Sequence, residues 1–120
     1  MTDSTQQRFD VQHQPEQSRY VLIDTQVEDA AQQVIGKEDY IDVEGGERIL
    51  FHTEVSEDYA GQSLASVLVQ HVVDDTIAQG LSIVPVCPYV AKWLPRHPEY
   101  DEHVVKPTPS HLQAVPARTR

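Results

Sequence analysis

The stretch Ala60-Gly61-Gln62-Ser63-Leu64-Ala65 joins a strand-like run to a helix-like run. A turn of small residues that opens straight into a helix aims several backbone N–H groups at one point. The first helical turn leaves its N–H groups unpaired, and the helix dipole adds partial positive charge, so such a turn suits an anion, usually phosphate. Gly61 allows close approach to the backbone, and Ser63 is placed to cap the helix. Any strand–turn–helix also needs small residues, and that plainer reading stands beside the first. The stretch lacks the Gly-Lys-Ser/Thr ending of a Walker A loop and the three-glycine spacing of a dinucleotide fingerprint. Three further groups carry chemistry. Cys87, between Val86 and Pro88, is the one cysteine. His52 and Glu54 lie two apart on one strand. Lys92, Arg96 and His97 form a compact positive cluster, suited to phosphates or simply a solvated helix end. His97 and His103 lack a third spaced ligand, so no metal is assigned.

The elements that must position these groups follow from periodicity. Tyr20-Val21-Leu22-Ile23 is a short β-like run, and Val27 to Val34 is either a helical turn or the start of the next strand. Two β-like runs flank Glu44-Gly45-Gly46-Glu47 and form a hairpin, whose glycines supply positive φ. On its second strand Ile49, Phe51, Thr53 and Val55 are expected on one face, with Leu50, His52 and Glu54 on the other. From Leu64 the period becomes helical, through Val67, Leu68, His71 and Val72. His71 reads as a satisfied core histidine on that stripe. Gly80 is the expected left-handed stop. Leu81 to Val86 follows as a buried strand, which makes a right-handed βαβ crossover. Pro85 cannot donate a ladder hydrogen bond, so one side of this strand is unpaired, bulged or splayed. Tyr89 to Leu94 reads as a short helix.

Composition sets the outer limits. At 120 residues the chain is one α/β (α+β) domain, large enough for a core without staples. Residues 1–18 are rich in Gln, Ser, Thr and Asp and read as a disordered tail. Residues 19–105 are the folded part. Residues 106–120, with three prolines, read as a flexible tail onto which Leu112 and Val115 could dock. A net charge of −10 disfavours nucleic acid and suits cationic partners such as amines or basic peptides. No apolar leader and no run near the roughly 20 apolar residues of a membrane span is present, so a cytoplasmic protein without membrane attachment is expected.

Glu54-Val55 followed by Tyr59 to Val69 resembles the acyl-CoA-binding motif of the GNAT superfamily of N-acetyltransferases. His52-Thr53-Glu54-Val55, Gly80-Leu81, Val84-Pro85-Val86-Cys87-Pro88-Tyr89-Val90 and Arg96-His97-Pro98-Glu99-Tyr100 resemble, more narrowly, its small YjdJ-like subgroup of minimal proteins. The superfamily motif, Gln/Arg-x-x-Gly-x-Gly/Ala, falls on Ala60 to Ala65, with Ala60 and Ser63 departing from it. The resemblance implies a mixed, mostly antiparallel sheet with a βαβ acyl-CoA unit and short helices, with no metal. It implies acetyl-CoA or coenzyme A held by Thr53, Val55, Ala60, Gly61, Gln62, Ser63, Leu64, Ala65, Pro88, Lys92 and Arg96. It also implies that the strands ending at Val55 and Val86 splay to admit the cofactor.

Acetyl transfer to an amine needs a base, a polarised carbonyl and an acid for the thiolate. Glu54 is the candidate base, or else a solvated strand residue. His52 orients a water, acts as the base, or is structural. Cys87 lies near the acetyl group, with a covalent role as one option; its apolar neighbours argue against a lowered thiol pKa. Tyr89 and Tyr100 are candidate acids, or packing aromatics. The expected activity is acetyl-CoA-dependent N-acetylation of a small molecule, a protein lysine or an N-terminus. The alternative is a CoA-binding module of the same fold with little or no catalysis.

Overall fold

The computed structural model describes residues 8–29, 33–59 and 63–115. Five strands form one sheet in chain order: β1 (Phe9–Gln14), β2 (Arg19–Asp24), β3 (Val34–Val43), β4 (Glu47–Val55) and β5 (Ser82–Pro85). The first four pair antiparallel, and β5 lies parallel to β4. The β3–β4 hairpin turns at Gly45 and Gly46, both at positive φ. Helix α1 (Leu64–Ala78) makes the crossover from β4 to β5. It stops as its sequence requires. Gly80 takes φ 78, and the N–H groups of Gly80 and Leu81 reach back to the carbonyls of Ile77 and Thr76, a Schellman ending. Short helices α2 (Pro88–Trp93) and α3 (Pro109–Ala114) follow. Among the described residues no helix is long and apolar enough to cross a membrane.

Helix α1 covers one face of the sheet. Leu64, Leu68, Val69, Val72 and Val73 pack on Tyr20, Leu22, Tyr40, Leu50 and Ile83. The buried stripe is therefore rotated from the expected one. Val67 is 39% exposed and His71 is exposed, because Val69, Val73 and Thr76 supply the inward side instead. His71 is thus not a core histidine. The far end of α1 is tied to the sheet by a polar network. Buried Arg48 holds Asp42 at 2.6 and 2.9 Å, donates to the Tyr20 hydroxyl at 2.7 Å, and lies over the Tyr40 ring. The Tyr20 hydroxyl in turn donates to Asp75 on α1 at 2.5 Å.

Strand β4 does not alternate as expected. Tyr40 pairs with Leu50 but Asp39 pairs with His52, so Phe51 is an extra residue, a β-bulge. A bulge resets which face each later residue takes. Ile49 and Phe51 line a second cluster with Val84 and Val115. Leu50 lies in the α1-covered core, and Val55 packs against it. Thr53 joins that side, touching Glu38 and Cys87.

Both chain ends depart from the expected tails. Within 1–18, residues 9–14 are a strand paired along all of β2. Its apolar alternation rests on only Phe9 and Val11. His13 completes it by stacking on Tyr20 at 4.2 Å and bonding the Tyr40 hydroxyl at 2.6 Å. An edge strand with one covered face needs no more apolar residues than that. Within 106–120, residues 109–114 are helical, started by a capping box between Thr108 and His111. His111 is buried against Glu47 at 2.8 Å, and Val115 is buried on Ile49 and Val84.

Candidate active site

Strands β4 and β5 pair only from Glu47↔Ser82 to Leu50↔Pro85. There Pro85, with no N–H, ends the ladder. The carbonyl of Leu50 accepts from both Val86 and Cys87, at 3.1 and 2.9 Å, and β5 turns away into α2. Beyond Leu50, β4 pairs only with β3. The two strands therefore part, with Thr53 and Val55 on one side of the opening and Cys87-Pro88 on the other. Proline at 85 is the sequence feature that anticipated this.

At the throat of the opening three side chains meet. The Thr53 hydroxyl lies 3.0 Å from Cys87 Sγ and donates to a carboxyl oxygen of Glu38. Cys87 is 4% exposed, and Glu38 is fully buried. Burial pushes the Glu38 carboxyl well above the usual range, the Asp39 charge adds to this, and the Thr53 hydroxyl and His52 backbone N–H only partly oppose it. Sequence reasoning brought Thr53 and Cys87 forward but missed Glu38. Its alternation with buried Tyr40 was the available signal, hidden by the charged run Lys37-Glu38-Asp39.

His52 and Glu54 lie elsewhere. Beyond the bulge they take the opposite face from Thr53, and they bond each other, Nε2 to Oε1, at 3.3 Å. Glu54 is exposed and His52 half-buried. Tyr100 is turned toward α1. Its hydroxyl donates to Asp74 at 2.7 Å, which pushes its pKa up to about 12, and its ring stacks on Trp93. Among the described residues no hydrogen bond links Tyr100 to Thr53 or Cys87. Pro88, Tyr89, Lys92 and Arg96 are exposed on α2 and the turn after it. The Trp93 indole holds α2 to α1 by donating to Ser66 at 2.9 Å. Among the described residues no group of three or more His, Cys, Asp or Glu is arranged to hold a metal ion.

Ala60, Gly61 and Gln62 lie outside the described residues. Ser63, which follows them, has φ 58, in the left-handed region. Its side chain makes no capping hydrogen bond, so the expected Ser63 cap is not formed; the left-handed backbone replaces the extended one that a capping side chain needs. Leu64 is buried, and Ala65 half-buried. The first turn of α1 carries no acidic residue, so no carboxylate of that turn opposes an anion there. The residues before the turn are anchored. The Tyr59 hydroxyl donates to Asp24 at 2.5 Å, and Arg8 holds the same carboxylate through two bonds of 3.1 Å. With these partners Asp24 is lowered to about 2. Arg8 and Asp24 went unnoticed in the sequence because one was assigned to a tail and the other to a strand end.

Residues 19–104 match a family model described as GCN5-related N-acetyl-transferase. No curated protein sequence matches the chain. Among solved structures the chain is similar to the solution structure of a GCN5-like protein from Staphylococcus aureus. The TM-score is 0.62 at 19% identity, covering 87% of this chain and 95% of that one. It is less similar to the ribosomal-protein-S18-alanine N-acetyltransferase from Escherichia coli, with a TM-score of 0.44 at 19% identity over 63% of this chain and 40% of that one. The first of these supports the fold; the second is too distant to carry an argument.

Proposed function

Since the chain belongs to the GCN5-related N-acetyltransferase family, we propose that it transfers the acetyl group of acetyl-CoA to an amine. The observation that carries this reading is the parting of β4 and β5 after Leu50 and Pro85. Such an opening suits an extended pantetheine arm, which would lie along β4 beside Thr53 and Val55 and bring its thioester toward Cys87. The turn Ala60–Ala65 and the first turn of α1, which carries no acidic residue, are suited to the pyrophosphate. Lys92 and Arg96 are exposed cations near enough in sequence to that opening to meet further phosphates.

The amine attacks the thioester carbonyl directly, forming the C–N bond as the C–S bond breaks. Its surplus proton passes to water and through it to Glu54 with its hydrogen-bonded His52, which lie on the other face of β4. The exposed position of this pair fits a bulky or loosely held acceptor. The net charge of −10 favours a cationic one, a polyamine or a lysine-rich peptide.

Calorimetry with acetyl-CoA, CoA and ATP tests the site. Saturable binding of the first two, weakened in Gly61→Val, is expected; no binding of acetyl-CoA at millimolar concentration rejects the reading. Thiol release on adding a polyamine or basic peptide then tests transfer. The second reading, a CoA-binding module without turnover, rests on the departure of Ser63, left-handed at φ 58, from the motif position otherwise held by glycine. Binding without thiol release would select it.

A further inference from the structure

The direct mechanism needs a proton for the departing thiolate and has so far named no source. Tyr100 is bonded to Asp74 instead. Glu38 is the buried titratable group not yet given work. It is 0% exposed, one of its oxygens accepts from Thr53, and the other finds no hydrogen-bond partner among the described residues. An apolar residue would fill this inward position of β3 without the cost of burying a carboxyl. The Thr53 oxygen that touches Glu38 also lies 3.0 Å from Cys87 Sγ. A hydroxyl between two titratable groups can pass a proton from one to the other, donating on one side while accepting on the other.

We propose that Glu38, Thr53 and Cys87 form a proton relay that protonates the thiolate leaving acetyl-CoA. The relay rests on the acetyltransferase reading above. As the amine forms its bond to the acetyl carbon, the electron pair of the breaking C–S bond goes to the CoA sulfur. The Thr53 hydroxyl, which donates to Glu38 at rest, first turns to donate to Cys87 Sγ and so accepts from the Glu38 carboxyl. The CoA sulfur then takes the Cys87 thiol proton, Cys87 takes the Thr53 hydroxyl proton, and Thr53 takes the carboxyl proton of Glu38. Glu38 is left ionised. The amine's proton has gone to Glu54 and water, and water restores a proton to Glu38 once CoA departs. Cys87 is the member that touches substrate; Glu38 acts through the other two.

The surroundings of Glu38 keep it protonated for this task. Asp39 on the same strand opposes its ionisation, with Lys37 paired to Asp39 at 3.2 Å. Tyr20 stands opposite on β2 and is bonded to Asp75. From β4 come Thr53 and the His52 backbone, and from the head of α2 comes Cys87. Helix α1 covers this side with Leu68, Val69, Val72 and Val73. Burial, the largest influence, holds the proton on above the usual carboxyl range.

Steady-state kinetics on Glu38→Gln, Thr53→Val and the double variant test the relay. Each single variant should lose kcat by about 10²-fold, the scale of one general acid, with KM for acetyl-CoA unchanged. The fall of kcat on the alkaline side, where Glu38 ionises in the native protein, should vanish in both. The double variant should be no slower than either single one, since one broken link breaks the chain. An unchanged kcat, losses that multiply, or an acetyl group found on Cys87 after acid quench would overturn the relay. Glu38→Leu separates chemistry from folding: it should unfold at a higher temperature than the native protein yet lose kcat as Glu38→Gln does. The free protein gives a second readout. The Glu38 carboxyl carbon shift, followed by carbon NMR, should titrate above the usual carboxyl range in the native chain and at a still higher pH in Thr53→Val. An identical titration overturns the relay even where acetyl-CoA is bound and turned over. Failure of the native protein to bind acetyl-CoA rejects the acetyltransferase reading and the relay's role together, and the titration still tells the two failures apart.

Discussion

Asp24 shows how one buried carboxylate sets the acid limit of the fold. Arg8 and Tyr59 hold it ionised, with a folded pKa of about 2 against an ordinary 3.8. A carboxylate lowered on folding stabilises the folded state above its unfolded pKa and loses that contribution as pH falls through its folded one. Chemical denaturation should therefore show stability declining as pH drops from 3.8 toward about 2, and Asp24→Asn should lack that part of the slope. At neutral pH the same variant should be weaker by about 2 kcal/mol, the scale of a hydrogen bond to a charged group. It should also bind acetyl-CoA less tightly, because Tyr59 directly precedes in sequence the turn proposed to take the pyrophosphate. Glu38 behaves in the opposite way: burial raises its pKa, so folding keeps it neutral and its cost grows as pH rises. Neither role could be read from residue type. Both acids look like ordinary surface carboxylates until the strand pairing turns them inward.

At the scale of elements, the start of α1 carries strain that its sequence does not need. Ser63 holds φ 58, a conformation that costs an L-residue roughly 1–2 kcal/mol and glycine almost nothing. Glycine loses more entropy on folding, by roughly 0.5–1 kcal/mol. Ser63→Gly should therefore gain stability by about 0.5–1 kcal/mol in urea denaturation, and calorimetry should show tighter acetyl-CoA binding as the backbone comes closer to the phosphates. Equal affinity would mean that the Ser63 side chain does not obstruct the ligand, and weaker binding that its hydroxyl serves it. The helix, its glycine stop, the hairpin and the proline-ended strand were all legible, since each has a strong periodic or turn signal. The bulge at Phe51 was not. One inserted residue leaves no mark on composition, yet it decides that Thr53 faces Cys87 while Glu54 faces solvent. Strand β1 was hidden for another reason: His13 does the work of an aromatic in a segment whose glutamines suggested disorder.

For the whole molecule, residues 9–14 and 109–115 are structural parts of the folded body. A chain beginning at Arg19 would lack Arg8, the Phe9 and Val11 side chains and every β1 bond to β2. It should lose cooperative unfolding, as read by circular dichroism, and elute as aggregate in gel filtration, because β2 would become an open apolar edge. Ending the chain at Lys106 should be milder. It removes Val115 and the His111–Glu47 contact, uncovers Ile49 and Val84, and should cost about 2–3 kcal/mol, the scale of one buried aliphatic side chain. The family match begins only at residue 19, yet Arg8, just ahead of β1, also helps hold Tyr59 through the Asp24 carboxylate that both bind. The fork at Leu50 acts at this scale as well. One carbonyl oxygen grips the chain at two successive residues, Val86 and Cys87, so β5 can neither slide along β4 nor zip further up it. The point at which the two strands part is thus held by two hydrogen bonds to a single carbonyl oxygen. A wedge held in this way stands ready before any guest arrives. Its association rate should then follow diffusion and charge, with no slow phase for opening.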